Sequence, residues 1–111
     1  MRRQEGCGAA RDFVSASLRD RATAHAVGRK LAAVAARRQV IAITHLPPVA
    51  ACGTHHHAVR KTVTAGRTQT HVVALDEAAR VEELARMLGG RESTSVALRH
   101  AAELLAAARR A

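Results

Sequence analysis

Aromatic side chains are almost absent from this chain of 111 residues, which has Phe13 but neither Trp nor Tyr. This nearly excludes proteins that bind single-stranded nucleic acid by stacking bases on aromatic rings. The only two cysteines, Cys7 and Cys52, lie far apart and form no disulfide framework. No apolar run approaches the ~20 residues that a membrane helix needs, and no apolar signal region follows the amino terminus. These absences predict a protein of the reducing cytoplasm.

Acidic residues are missing from the whole middle of the chain. Lys and Arg total 18 against 9 Asp and Glu, a net charge of +9, and no acid lies between Arg21 and Leu75. Such a segment favours a polyanionic partner, nucleic acid or nucleotide phosphate. A solvated basic surface with no partner explains the same composition equally well.

Hydrophobic periodicity divides the chain into a leader and one small domain. Residues 1–21 show no sustained period, which predicts a poorly ordered leader or a weak helix, and residues 22–111 form the domain. A helix beginning near Ala22 places apolar residues on one face and ends at Arg37 and Arg38. The residues of this face are Val27, Leu31, Val34 and Ala35.

The next segment predicts a buried β-strand. Residues Val40 to Ile43 are apolar and mostly β-branched, as in a strand covered on both faces of a parallel sheet, so we expect a strand over residues 39–44. Ligands of open α/β sheets bind just beyond the carboxyl ends of such strands. His45 stands there, although a simple hydrogen-bonded histidine at a strand end would fit the same pattern.

Turn and cap residues delimit the remaining elements. Pro47 and Pro48 can begin one short helical turn that ends at Gly53. Two alternating runs, Ala58 to Thr64 and Thr68 to Leu75, predict a β-hairpin with residues 65–67 as its turn.

Two helices complete the chain. Asp76 caps the first, which Gly89 and Gly90 end, and Ser93, Thr94 or Ser95 caps the second. Their predicted core residues are Val81, Leu84, Ala85, Met87, Leu88, Ala97, Leu98, Ala101, Leu104, Leu105 and Ala108. Three arginines are expected to be solvated, namely Arg80, Arg86 and Arg91.

Cys52 and the three histidines at residues 55–57 have the donor types of a zinc site. Neighbouring histidines in an extended segment point alternately to opposite faces, so at most two of the three can easily converge. We therefore predict no metal site.

Two segments of the sequence resemble a known protein family. AVGRKLAAVAARRQVIAITHLPPVAA, followed by GRTQTHVVALDEAARVEELARMLGG, closely resembles the carboxyl-terminal end of the bacterial RecN family of SMC-like ABC ATPases. The similarity runs from about Ala22 to about Ala108. It implies an α/β fold, a partial ABC/SMC-type ATPase head lobe built from a helix, a buried strand, a β-hairpin and two carboxyl-terminal helices.

The resemblance also implies an activity. Family members bind and hydrolyse ATP with Mg²⁺ between paired head domains, in the repair of DNA double-strand breaks and in recombination. His45 matches the family's switch histidine, which reaches the γ-phosphate, and Thr44 supports it within the ATP site. The implied partners are the remainder of a RecN-like head or a second head, and DNA.

The chain departs from the family pattern in what it lacks. It has no G-x-x-x-x-G-K-[ST] phosphate loop, no strand ending in Asp-Glu before the first helix and no ABC signature. Pro48 and residues 52–54 also differ from the family. We expect no ATP hydrolysis by the isolated chain, and hence no cofactor bound to it alone.

Two origins explain such a chain: a truncated or frameshifted gene, which we favour, or a separately encoded half. Two other hypotheses compete with this family assignment. The chain could be a small basic nucleic-acid-binding protein, or a poorly folding product without function.

Overall fold

The computed structural model describes residues 21–89 and 94–110. Their elements, in chain order, are α1 (Arg21–Ala35), α2 (Pro47–Ala51), β1 (His57–Thr64), β2 (Arg67–Ala74), α3 (Glu77–Gly89) and α4 (Ser95–Arg110). Helices thus accompany one two-stranded antiparallel sheet, in agreement with the α/β class at that coarse level. The predicted leader lies outside the described residues except Arg21, with which α1 begins. Within the described ranges, no helix is long and apolar enough to cross a membrane.

The two carboxyl-terminal helices begin at the predicted caps. The Asp76 carboxylate accepts a hydrogen bond from the Ala79 backbone N–H at 2.8 Å. The Thr94 hydroxyl accepts one from the Ala97 N–H at 3.1 Å, so Thr94 is the cap among the three candidates. Each cap satisfies an N–H group that has no partner inside its helix. The end of α3 at Gly89 also fits the prediction, and Gly90 lies outside the described residues.

The core forms where α3, α4 and α2 meet. Glu77 at the start of α3 pairs with Arg109 near the end of α4, as expected for antiparallel neighbours. Alanines make up four of the seven residues of the buried cluster, and the predicted stripes of both helices are confirmed. The buried cluster consists of Ala51, Leu84, Ala85, Ala97, Ala101, Leu104 and Leu105, with Val81, Met87, Leu88, Leu98 and Ala108 packed against it.

Helix α1 contacts α2 through smaller residues than predicted. Ala24 and Gly28 are its buried residues, whereas Val34 of the predicted apolar stripe is 51% exposed. Val27 and Leu31 are only partly buried. Its partner α2 has only five residues, so it covers just the part of α1 around Gly28.

The hairpin is confirmed, with a tighter turn than predicted. Thr64 pairs with Arg67, so only Ala65 and Gly66 form the turn. Both have positive φ angles, 53° and 76°, as in the two-residue turns that match the twist of paired strands. Apart from the buried Ala58, the residues of both strands are exposed. The hairpin therefore projects from the helical core.

The predicted buried strand is wrong for this chain. Residues 39–44 form neither helix nor strand, and Ile41 and Ile43 are 82% and 87% exposed. The reason is that a strand requires hydrogen-bonding neighbours and a cover on each face. Within the described residues the only sheet is the hairpin, whose two strands pair with each other. The apolar sequence is present, but the described part of the chain does not supply its neighbours.

Candidate functional site

The candidate site is the turn that contains Thr44 and His45. The Thr44 hydroxyl accepts a hydrogen bond from the Leu46 backbone N–H at 3.0 Å, closing a small turn around His45. Thr44 is partly buried, whereas the His45 side chain is exposed. The structure therefore places both predicted site residues together and leaves the imidazole accessible to a ligand or partner.

Helix α2 fixes the backbone directly after His45. Pro47 and Pro48 occupy its first two positions, where the fixed φ of proline suits a helix and a missing N–H costs nothing. The N–H groups of Val49 and Ala50 both donate to the Leu46 carbonyl at 3.1 Å. The turn of His45 and the first turn of α2 thus share the residue Leu46.

A buried arginine holds the other end of α2. Arg80 of α3 is only 3% exposed, and its guanidinium donates to the carbonyls of Ala50 at 3.2 Å and Ala51 at 3.3 Å. It also contacts the Gly53 carbonyl and, at 3.5 Å, that of Thr54. A cation suits the carbonyl end of a helix, where the partial charge is negative.

The prediction that Arg80 is solvated is therefore wrong. A signal for its burial exists in the sequence, because Arg80 lies four residues before Leu84 and so on the core face of α3. Arg86, by contrast, is exposed and pairs with Glu83 at 2.5 Å. The prediction for Arg91 falls outside the described residues.

His56 adds a second titratable group beside Arg80. Burial lowers the pKa of the His56 imidazole, and the positive charge of Arg80 lowers it further. Burial likewise lowers the pKa of the Arg80 guanidinium. The His56 Nδ1 and Arg80 Nε atoms are both buried without a hydrogen-bond partner. This region therefore disfavours a second positive charge.

Cys52 at the end of α2 is not set up as a nucleophile. Burial raises the pKa of its thiol, which donates to the Pro48 carbonyl at 3.3 Å.

His55 contacts the Thr54 hydroxyl at 3.1 Å, and the ring of His56 is partly buried. Across residues 21–89 and 94–110, no group of three or more His, Cys, Asp or Glu side chains could hold a metal ion.

The residues around His45 fit one contact of an ATP site and not a whole site. The turn offers an exposed imidazole, and its hydroxyl at Thr44 already accepts the Leu46 N–H. Carboxylates of the kind that bind Mg²⁺ are absent from residues 21–75. A phosphate loop is absent from the sequence. A nucleotide at His45 would therefore receive neither a carboxylate from residues 21–75 nor a phosphate loop from this sequence.

Known proteins match most of the chain. It is 46% identical over 86 residues to the DNA repair protein RecN of Vibrio cholerae, and 49% identical over 85 residues to that of Deinococcus radiodurans. The RecN of Bacillus subtilis is 43% identical over 82 residues. Over this region the chain is similar to RecN proteins. No family model matches it.

The match covers a small part of each RecN relative. It spans 78% of this chain but 16% of the Vibrio cholerae protein, and 74% of this chain but 14% of the Bacillus subtilis protein. These proportions are consistent with a carboxyl-terminal RecN fragment and confirm the predicted resemblance.

Proposed function

We propose that this chain is the carboxyl-terminal lobe of a RecN-type ATPase head. In this proposal it serves double-strand break repair and recombination only when it is joined to the remainder of the head. The observation that carries the proposal is the 46% identity to the Vibrio cholerae RecN over 78% of this chain. The assembly would act in the cytoplasm, where bacterial chromosomal DNA lies.

The exposed segment before His45 supports the need for a partner. Ile41 and Ile43 are both more than four-fifths exposed, and their neighbours Val40 and Ala42 are also apolar. Within the described residues, no backbone group of residues 39–43 is paired with another. A strand from the remainder of the head would pair with this backbone and cover these side chains. A second copy of the head is the other partner that we envisage.

His45 would supply one contact to ATP in the joined head. When bound to the joined head, ATP would bring the γ-phosphate, and Mg²⁺ would neutralise part of its charge. The imidazole of His45 can donate one N–H to that phosphate, because its side chain is exposed at the end of the segment. Thr44 and α2 hold the backbone on both sides of His45, so the ring would keep a defined position.

Association with the missing part is the direct test. The Vibrio cholerae RecN without the 86 matching residues would be co-expressed with this chain, one of the two carrying an affinity tag. Co-elution at a fixed ratio is expected, and the double variant I41T/I43T should reduce it at least tenfold. The matched control, V59T/V63T, changes two exposed valines of the hairpin. Absence of co-elution with a well-folded remainder would contradict the proposal.

A second candidate function is nucleic-acid binding by the hairpin. The register places Arg60 opposite His71, and Arg67 opposite Thr64, on one face of the sheet. All four residues are exposed, and no acid lies in either strand. Cationic groups on one face of a β-ribbon can follow a phosphate backbone.

Salt dependence tests this second candidate. Affinity for duplex DNA should fall steeply as the salt concentration rises, and R60Q/R67Q should reduce the slope of log K against log salt by about 2. R109Q/R110Q, at the end of α4, is the control. An affinity that salt does not change would contradict this function.

A further inference from the structure

We propose that Arg80 is a positioning residue for His45, acting through α2. Its guanidinium holds the carbonyl end of α2 on α3 and thereby fixes the turn that presents His45. The inference rests on the proposed function, since it assigns Arg80 a part in the use of His45.

The connection between the two residues is short. Helix α2 has five residues, so its ends are about 7.5 Å apart at 1.5 Å per residue. Arg80 binds the carbonyls of Ala50 and Ala51 at one end. Leu46 at the other end accepts the N–H groups of Val49 and Ala50, and its own N–H binds Thr44. Arg80 is thus connected to the His45 turn through its hydrogen bonds to α2, the backbone of α2, and the hydrogen bonds of Leu46.

A helix this short needs support from its neighbours. Isolated helices below ~12–15 residues are marginal in water, and α2 has no side-chain cap at its amino end. Close packing against Gly28 holds one side of α2 on α1. Among the residues that the structure describes, Arg80 supplies the side-chain hydrogen bonds from α3 to the backbone at the end of α2.

Arginine suits this role because both terminal nitrogens are used: Nη2 faces the carbonyls of Ala50, Ala51 and Gly53, and Nη1 faces that of Thr54. The guanidinium has five donors in a planar fork, so it can bind several carbonyl oxygens that point in different directions. The ammonium of lysine is a single centre and would reach only part of this set. Arg80 itself is only 3% exposed, and its hydrogen bond to the Ala51 carbonyl is buried.

Three variants of the chain test the inference: R80M, R80K and, as a matched control on the same helix, R86M. Amide hydrogen exchange measured by NMR would compare Val49 and Ala50, beside the His45 turn, with Leu104 and Leu105 in α4. R80M should accelerate exchange at Val49 and Ala50 at least tenfold and leave α4 within twofold. R80K should give an intermediate exchange rate at Val49 and Ala50, and R86M should leave this rate unchanged.

The NMR resonance of the His45 ring gives a readout that would not change if Arg80 only stabilised the end of α2. Its Hε1 resonance should shift and broaden in R80M, sharpen again in part in R80K, and stay unchanged in R86M. Two outcomes would overturn the inference. In one, exchange rises only at Cys52 and Gly53 while the His45 resonance stays fixed, so Arg80 is a local cap. In the other, all amides including those of α4 accelerate together.

These measurements need neither nucleotide nor partner. A head that fails to assemble or to hydrolyse ATP would therefore count against the proposed function, while the exchange and ring measurements still decide the role of Arg80. In an active assembly, R80M should lower kcat at least fivefold, and R80K should recover part of this loss.

Discussion

Gly28 of α1 lies directly against Cys52 at the end of α2. A Cβ atom at residue 28 would stand 2.8 Å from the Cys52 Sγ and 3.1 Å from the Pro48 carbonyl oxygen. Gly28 therefore packs closely against both the Cys52 side chain and the backbone of α2. This contact and the hydrogen bonds of Arg80 hold α2, and with it the His45 turn, from two sides.

Replacement of Gly28 by alanine should destabilise the chain. Alanine improves helix propensity by about 1 kcal/mol, but overpacking costs typically ~1–3 kcal/mol. The Pro48 carbonyl belongs to the backbone and cannot rotate away, so we expect a net loss of about 1 kcal/mol. Urea unfolding followed by circular dichroism would measure it.

Gly89→Ala is the matched control for this variant. Among the described residues, a Cβ there would meet only the Ala97 Cβ, at an ordinary contact distance of 3.5 Å. Stability should stay the same or increase. If both variants changed stability equally, the close contact at Gly28 would not be the cause.

The hairpin turn should accept a better residue at position 65. Ala65 has a φ of 53°, a left-handed conformation that costs an L-residue roughly 1–2 kcal/mol and that asparagine tolerates. Ala65→Asn should therefore slow amide exchange in β1 and β2, whereas Gly66→Ala should accelerate it. Equal exchange in the two variants would show that the turn does not limit hairpin stability.

Sequence patterns predicted the elements whose determinants are local. Asp76 and Thr94 cap helices through hydrogen bonds within three residues, and the stripe around Leu84 follows from helical geometry alone. The strand predicted from Val40 to Ile43 was wrong, because strand formation depends on neighbouring strands that the local sequence does not specify. The burial of Arg80 was missed although its spacing from Leu84 indicates it; only the acceptors of Arg80, which lie 26 to 30 residues away, depend on tertiary packing.

The site itself could be predicted only in part. The resemblance identified Thr44 and His45, and the structure places them in one turn, but their role in ATP binding stays a prediction. No periodicity indicates that a core arginine holds the far end of α2. That relationship requires the packing of α2 on α3.

Acid should weaken the fold through His56. Burial and the charge of Arg80 lower the pKa of His56 in the folded chain below its ordinary value of 6.5. Below pH 6.5 the unfolded chain therefore binds more protons at this residue than the folded chain does. The contribution of His56 to the free energy of unfolding is thus fully present above pH 6.5, and it is lost as the pH falls toward the folded pKa. Urea unfolding at pH 5.0, 6.0, 7.0 and 8.0 would show the decline.

His56→Gln should flatten this decline, and His57→Gln at the neighbouring exposed position should not. The titration of Glu83 lies in a lower range, because its hydrogen bond from Arg86 lowers the pKa of the Glu83 carboxyl from its ordinary 4.5. A decline of equal size in His56→Gln would assign it to other groups.

The apolar residues before His45 should contribute little to the stability of the isolated chain. Ile41 and Ile43 are exposed, so I41T/I43T should change the free energy of unfolding by no more than about 0.5 kcal/mol. The variant should also aggregate less at high concentration, because it removes an exposed apolar patch. A loss of several kcal/mol would mean that the segment is buried in solution.

ATP hydrolysis by the joined head tests the central claim most directly. This chain, combined with the Vibrio cholerae RecN that lacks the matching 86 residues, would be assayed beside each part alone and beside the assembly carrying His45→Ala. We expect turnover only in the combination, and at least a tenfold lower kcat in His45→Ala. Turnover by this chain alone, or an active assembly that His45→Ala leaves unchanged, would contradict the account.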